Sequence, residues 1–175
     1  MQKHVGYHGT NGANITGIQR NGYFLSSGKE WFGKGVYFFE SCFPITDGLE
    51  EAKAWAIHVK RFREWAVFKA FIQSDKKIDL IESIDHRKLY DKIRTELKEK
   101  HLSSGKELKD FNDTLIFCKL EEYGFDFFRV LVDADKFSGY YSSTVRRPQI
   151  QICVKNTDCI SDNKLIEWGE KDGFR

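Results

Sequence analysis

Two short segments hold the residues best suited to chemistry: Tyr7-His8-Gly9-Thr10 and Gly33-Lys34-Gly35-Val36-Tyr37-Phe38-Phe39. Each joins an apolar run to one polar side chain beside glycine. A histidine at a strand end can bond a ribose hydroxyl, act as a general base, or simply be satisfied within the fold. Glycine lets a ligand approach bare main chain, and the N–H and C=O around Gly9 and Thr10 suit a carboxamide. Tyr37 points away from Val36 and Phe38, where it offers a stacking face or fills an ordinary strand position. Together the segments suit a flat, planar ligand and suggest a nucleotide site. No GxGxxG stands between a strand and a helix and there is no GxxxxGK[ST], so neither a Rossmann nor a P-loop site is supported.

The elements that must position these residues fit within one domain, residues 1–175. A chain of this length buries roughly 70% of its unfolded surface. With 15 Phe and 4 Trp it has the means to build a core, and with only 2 Pro it lacks the signs of disorder. A net charge of +2 is too small to argue nucleic-acid binding from charge alone. Cys42, Cys118, Cys153 and Cys159 show no metal spacing and read as free thiols of a reducing cytosol. The 5 histidines are dispersed, so no metal is expected. Gln2-Lys3-His4 follows Met1 without a signal-like stretch, and nothing approaches the ~20 apolar residues of a membrane span. A soluble, cytoplasmic protein is the expectation.

Along the chain, 4–8 reads as a strand ending at Gly9, and 14–21 as a helix stopped by Gly22. A strand is expected over 36–39. Leu49, Ala52, Trp55, Ala56 and Val59 recur at helical spacing, predicting a helix over 49–60. Residues 66–72 read as a strand, with 78–81 a short extension of it. A helical insertion over about 84–124 follows. Its first helix, 85–100, carries Leu89, Ile93 and Leu97; its second, 106–123, carries Leu108, Phe111, Leu115, Cys118 and Leu120 and ends at Gly124. The charges of this stretch read as a solvated face. Strands are expected over 125–132 and over 149–155, where alternation is strict, then a turn at 156–158 and an edge segment from Cys159. Strands framing a helical middle give an α+β class.

His8-Gly9-Thr10, the 15–22 segment, Gly33 to Phe38 and Ala54-Trp55-Ala56 together resemble the ADP-ribosyltransferases, in the diphtheria-toxin and poly(ADP-ribose)-polymerase branch. That branch places His, Tyr and Glu on three strands. The resemblance is strong over 4–60, moderate over 141–155 and rests on element order between. It implies two packed antiparallel or mixed sheets around an NAD cleft. His8 would hold the adenosine-side ribose, the Gly9 backbone the nicotinamide carboxamide, and Tyr37 the nicotinamide ring. Trp55 would close the stack, with Thr10, Ser26 and Ser27 beside the ligand. NAD would be consumed as a substrate, without a metal. Ser142-Ser143-Thr144 is similar to the serine-threonine strand of the related arginine-serine-glutamate branch.

The departure lies on the late strand, where Gln151 stands at the catalytic glutamate's position and Gln149 two before it. Breaking the nicotinamide–ribose bond builds oxocarbenium character that a carboxylate stabilises. Glutamine keeps a hydrogen bond but brings no charge. Glu40, Asp133 and Asp135 are candidates to substitute. The resemblance therefore implies a mono-ADP-ribosyltransferase, acting on a protein or nucleic-acid acceptor as an intracellular toxin or defence effector. An antitoxin or immunity partner would then cover the cleft. An NAD glycohydrolase and a catalytically silent NAD or ADP-ribose binding module are the alternatives. The related RNA 2′-phosphotransferases carry a basic domain not found here. Arg146-Arg147, Lys60-Arg61, Arg63 and Lys98 to Lys100 form a basic patch or ordinary surface charge, and loops 40–50 and 136–148 would select the acceptor.

Overall fold

The computed structural model describes residues 2–28, 30–42, 46–133 and 148–171. The described strands are β1 (His4–Asn11), β2 (Val36–Glu40), β3 (Glu64–Ile72), β4 (Lys77–Asp79), β5 (Phe127–Asp133), β6 (Pro148–Val154) and β7 (Ile160–Glu170). The described α-helices are α1 (Ile15–Asn21), α2 (Gly48–Ala54), α3 (Ile84–Ser103) and α4 (Asp113–Glu121). The strands form one sheet in the order β4-β5-β6-β2-β1-β3-β7, parallel between β4 and β5 and antiparallel elsewhere. The class is α+β, with a mixed sheet.

Alternation sorts the strand residues onto two faces. On the first, Phe38, Phe68, Phe127, Ile152 and Val154 pack with Ile18 of α1 and Tyr23. The second face is covered in two parts. Phe128 and Cys153 lie under Ile93 of α3 and Ile116, Phe117 and Leu120 of α4. Phe39 and Val67 lie under Ala52 and Ala56 of the α2 segment. Asp47 starts α2 by accepting from the Leu49 and Glu50 N–H groups at 3.1 and 3.3 Å. Ser83 starts α3 by accepting from His86 at 3.2 Å.

Several expectations are corrected. The two packed sheets are one hydrogen-bonded sheet, narrowly joined between β1 and β2, where only Gly6–Glu40 and Tyr7–Phe39 pair. The strand expected over 4–8 runs on to Asn11, so His8 and Gly9 stand within it. The 78–81 segment is β4, a separate strand at the far edge beside β5, rather than an extension of β3. The 49–60 helix changes at Trp55–Val59 to a π turn. The 106–123 helix is broken: a 3-10 turn covers Leu108–Asp110, Phe111 and Asn112 are extended, and α4 starts at Asp113. Leu108, Leu115 and Cys118 are consequently exposed, and Ile116, Phe117 and Leu120 make the buried stripe.

Gly17 lies inside α1, and a Cβ there would meet nothing within 4 Å. Gly17→Ala should therefore raise the unfolding free energy by about 0.5–1 kcal/mol, by removing backbone freedom from the unfolded chain. A higher urea midpoint at unchanged slope is the expected reading.

Candidate functional site

β1 pairs with β3 from His4–Ile72 through to Asn11–Trp65, but its pairing with β2 ends at Tyr7–Phe39. The β1–β2 ladder thus stops just before His8, beside the expected residues.

His8 turns to the first face. Its ring lies 5.2 Å from that of Tyr23 and 5.6 Å from that of Phe38. Nδ1 is 2.8 Å from the Tyr37 carbonyl oxygen, which can only accept, so Nδ1 carries the proton and Nε2 is an acceptor. Burial lowers the His8 pKa, against the opposing effect of that carbonyl bond. The imidazole is thus neutral at pH 7, and it takes up the Tyr37 carbonyl at the point where the strand ladder ends.

Tyr37 turns to the second face. Its hydroxyl donates to the Gly33 carbonyl at 2.7 Å and accepts from the Phe32 N–H at 3.1 Å. One side of its ring stacks on Phe32 at 5.9 Å between centroids and 16° between planes. Burial drives its pKa upward, so the phenol stays neutral. Its ring can line a pocket while its hydroxyl pins the 32–33 turn, where Gly33 has φ 75°.

Gly9 is held by close approach. A Cβ there would stand 2.1 Å from the Ala52 carbonyl oxygen and 3.4 Å from the Ala56 Cβ. The α2 segment therefore rests directly on β1 at this residue. Thr10 is buried, and its hydroxyl accepts from Asn14 Nδ2 at 3.0 Å. Ser26 donates to Glu30 Oε2 at 2.8 Å and accepts from the Gly35 N–H at 3.2 Å, tying its loop to the entry of β2. Ser27 is exposed. Trp55 packs at the margin of the Phe39–Ala52 cluster, with Lys60 Nζ 4.9 Å from its ring centroid.

Gln149 and Gln151 are half-buried on the second face, with Gln151 opposite Phe39 on one side and Val130 on the other. Gln151 Nε2 reaches Gln149 Oε1 at 3.5 Å, a long contact. The three expected catalytic residues do not converge. Tyr37 and Gln151 share a face, while His8 occupies the other and meets them through the Tyr37 backbone.

The substitute carboxylates fare differently. Glu40 is buried on the His8 face, donated to by Arg129 Nε at 2.6 Å and His4 Nδ1 at 2.8 Å. It cannot replace the charge missing at Gln151, because it is on the opposite face and fully engaged. Asp133 ends β5 opposite Pro148, which puts it on the face away from Gln151. Asp135, Ser142-Ser143-Thr144, Arg146-Arg147, residues 43–45 of the first acceptor loop and most of the 136–148 loop lie outside the described residues.

Sequence reasoning missed the cluster around Glu40. Arg129 Nη1 also donates to Asp79 at 3.1 and 3.3 Å and to Glu82 at 3.0 Å. Lys77 Nζ can only donate, so His4 accepts from it at Nε2 (3.1 Å) and donates from Nδ1 to Glu40. The available signal was one arginine inside the apolar run Phe127-Phe128-Arg129-Val130. Among the described residues no group of three or more His, Cys, Asp or Glu side chains is arranged to hold a metal, and no helix is long and apolar enough to cross a membrane.

Compared with models of known protein families and with curated protein sequences, the chain matches none.

Proposed function

We propose that the protein is a mono-ADP-ribosyltransferase with an ADP-ribosyltransferase-like fold. It would cleave NAD at the nicotinamide–ribose bond and pass ADP-ribose to a protein or nucleic-acid acceptor, as an intracellular toxin or defence effector. The observation that carries this reading is the end of the β1–β2 ladder just before His8-Gly9 with Tyr37 on the facing strand. A planar carboxamide entering from the β2 side of β1 would meet the main chain at Gly9, with Tyr37 on the facing strand. The bare Nε2 of His8 is an acceptor for a ribose hydroxyl.

In the reaction the C1′–nitrogen bond breaks with its electron pair leaving on nicotinamide, and positive charge develops on the ribose. Gln151 can orient a ribose hydroxyl but brings no charge. That favours single transfers over chain elongation. It also favours, as a second reading, a silent NAD or ADP-ribose binding module. An NAD glycohydrolase needs the same site with water as acceptor. A neutralising antitoxin or immunity protein would cover the seam at His8 and Tyr37.

The test is incubation with NAD labelled in the adenylate phosphate, alone and with separated cell protein, RNA and DNA, with nicotinamide quantified. Label on one fraction with matching nicotinamide release is expected. Gln151→Glu, which places a carboxylate on β6, runs beside it. Nicotinamide without labelled product makes the protein a glycohydrolase. Binding of NAD with no turnover by either protein makes it a binding module.

A further inference from the structure

The α2 helix carries a carboxylate that the site described above does not use. Glu51 Oε2 is buried and has no hydrogen-bond partner among the described residues. Burying an ionisable oxygen without a partner is costly, so such a group marks either a structural compromise or a site made for a ligand.

Its direction follows from its neighbours on the helix. The α2 helix lies across β1 and β2, reaching β3 on one side and β6 on the other. Lys53 fixes the β3 side, with Nζ 3.1 Å from Glu167 on β7 and 5.1 Å from the Trp65 ring centroid on β3. Glu51 is two residues earlier, about 200° around the helix at 3.6 residues per turn, and so projects from the opposite flank. On the side of α2 away from β3 lies β6, where Gln151 stands beside Phe39. Trp55, four residues on, shares the flank with Glu51. Gly48, three residues back, brings this part of α2 close to β2: a Cβ there would stand 2.5 Å from the Phe39 carbonyl oxygen.

We propose that Glu51 supplies the carboxylate for the nicotinamide ribose, doing from α2 what a glutamate at Gln151 would do from β6. This rests on the transferase reading above. The C1′–nitrogen bond breaks and its electron pair leaves with neutral nicotinamide. The acceptor atom gives an electron pair to C1′. Its proton passes to Glu51 and then to water. NAD carries a positive nicotinamide ring, which favours ionised Glu51 as it binds.

In the free protein, burial and, secondarily, the nearby Asp47 push the Glu51 pKa up to about 8. The other titratable or charged groups on the α2 face of the strands packed against it are Tyr7 of β1, Tyr37 of β2, Lys69 of β3 and Cys153 of β6, with Lys60 beside Trp55. Burial raises Tyr37 and Cys153, and both remain neutral through this range. Because Glu51 takes the proton in its ionised form, kcat/KM climbs as pH rises through about 8.

The experiment compares nicotinamide release and NAD affinity for wild type, Glu51→Gln, Gln151→Glu and the double variant. Glu51→Gln should lose about 10²–10³ in turnover, keep NAD affinity within a few fold, and flatten the pH profile. It should also unfold at equal or higher urea, because it relieves a buried ionisable group, so lost turnover is not lost folding. The double variant should regain activity relative to Glu51→Gln. Wild-type turnover matched by Glu51→Gln within about threefold would overturn the assignment and leave the transferase reading standing. Absence of turnover in wild type, with NAD bound, would remove the transferase reading and the assignment with it.

Discussion

Arg129→Met should lower the unfolding free energy by about 3–5 kcal/mol, a large part of the 5–15 kcal/mol typical of a domain. The guanidinium is 3% exposed and bridges Glu40 and Asp79, themselves 6% and 2% exposed. Removing it leaves buried Glu40 with His4 alone and buried Asp79 with Lys77 at 3.6 Å, while Glu82, half outside, loses little. Burial alone would raise the pKa of both carboxyls. For Glu40, hydrogen bonds from His4 and Arg129 outweigh it; for Asp79, the backbone N–H groups of Glu82 and Ile81 do so together with Arg129. Both are therefore held below their ordinary 4.5 and 3.8.

A depressed acid contributes stability above its unfolded-state pKa, and that stability is lost as pH falls through the folded-state value. Wild-type stability should thus rise as pH climbs from the lowered folded-state values to the ordinary 4.5 and 3.8, and level off above them. In Arg129→Met burial acts with less opposition and raises these carboxyls, so their contribution shrinks and the rise is shallower. Urea unfolding of both proteins at a series of pH values reads the two slopes. Parallel slopes would show that Arg129 does not set the charge state of this cluster.

The same cluster shows where sequence reasoning reaches its range. The β6 alternation is local, so Ile150, Ile152 and Val154 can be assigned to one face and Gln149 and Gln151 to the other without further information. Likewise Leu89, Ile93 and Leu97 of α3 point inward as their spacing predicts. Whether His8 shares a face with Tyr37 is not local. It depends on the register that sets Gly6 opposite Glu40, and a shift of one residue would reverse the answer. The partners of Arg129 come from β2 and β4, far off in sequence, so a lone arginine announces a buried pair without naming it. The helix over 106–123 failed because leucine spacing continues through Phe111 and Asn112 although their backbone is extended. Glu51 escaped notice for another reason. Within Leu49-Glu50-Glu51-Ala52-Lys53 it reads as one more charge on a solvated helix, and only packing distinguishes it from Glu50.

Gly9→Ala is the substitution expected to join fold and site most directly. The new Cβ would meet backbone, 2.1 Å from the Ala52 carbonyl oxygen, and a backbone atom cannot swing aside as a side-chain end can. Either α2 lifts from β1 or β1 shifts between its neighbours, and β1 is pinned to β3 from His4 to Asn11. Displacement of α2 is the cheaper course. The cost should lie near the upper end of overpacking, about 3 kcal/mol, against a gain for the same change at Gly17. Because α2 carries Glu51 and leads into Trp55, the folded fraction should also lose NAD turnover beyond what its reduced population explains. Hydrogen exchange supplies the separate reading: amides of 48–56 should lose protection while those of β5 and β6 keep theirs relative to global stability. Unchanged protection and stability in Gly9→Ala would mean that α2 does not rest on β1 at this residue.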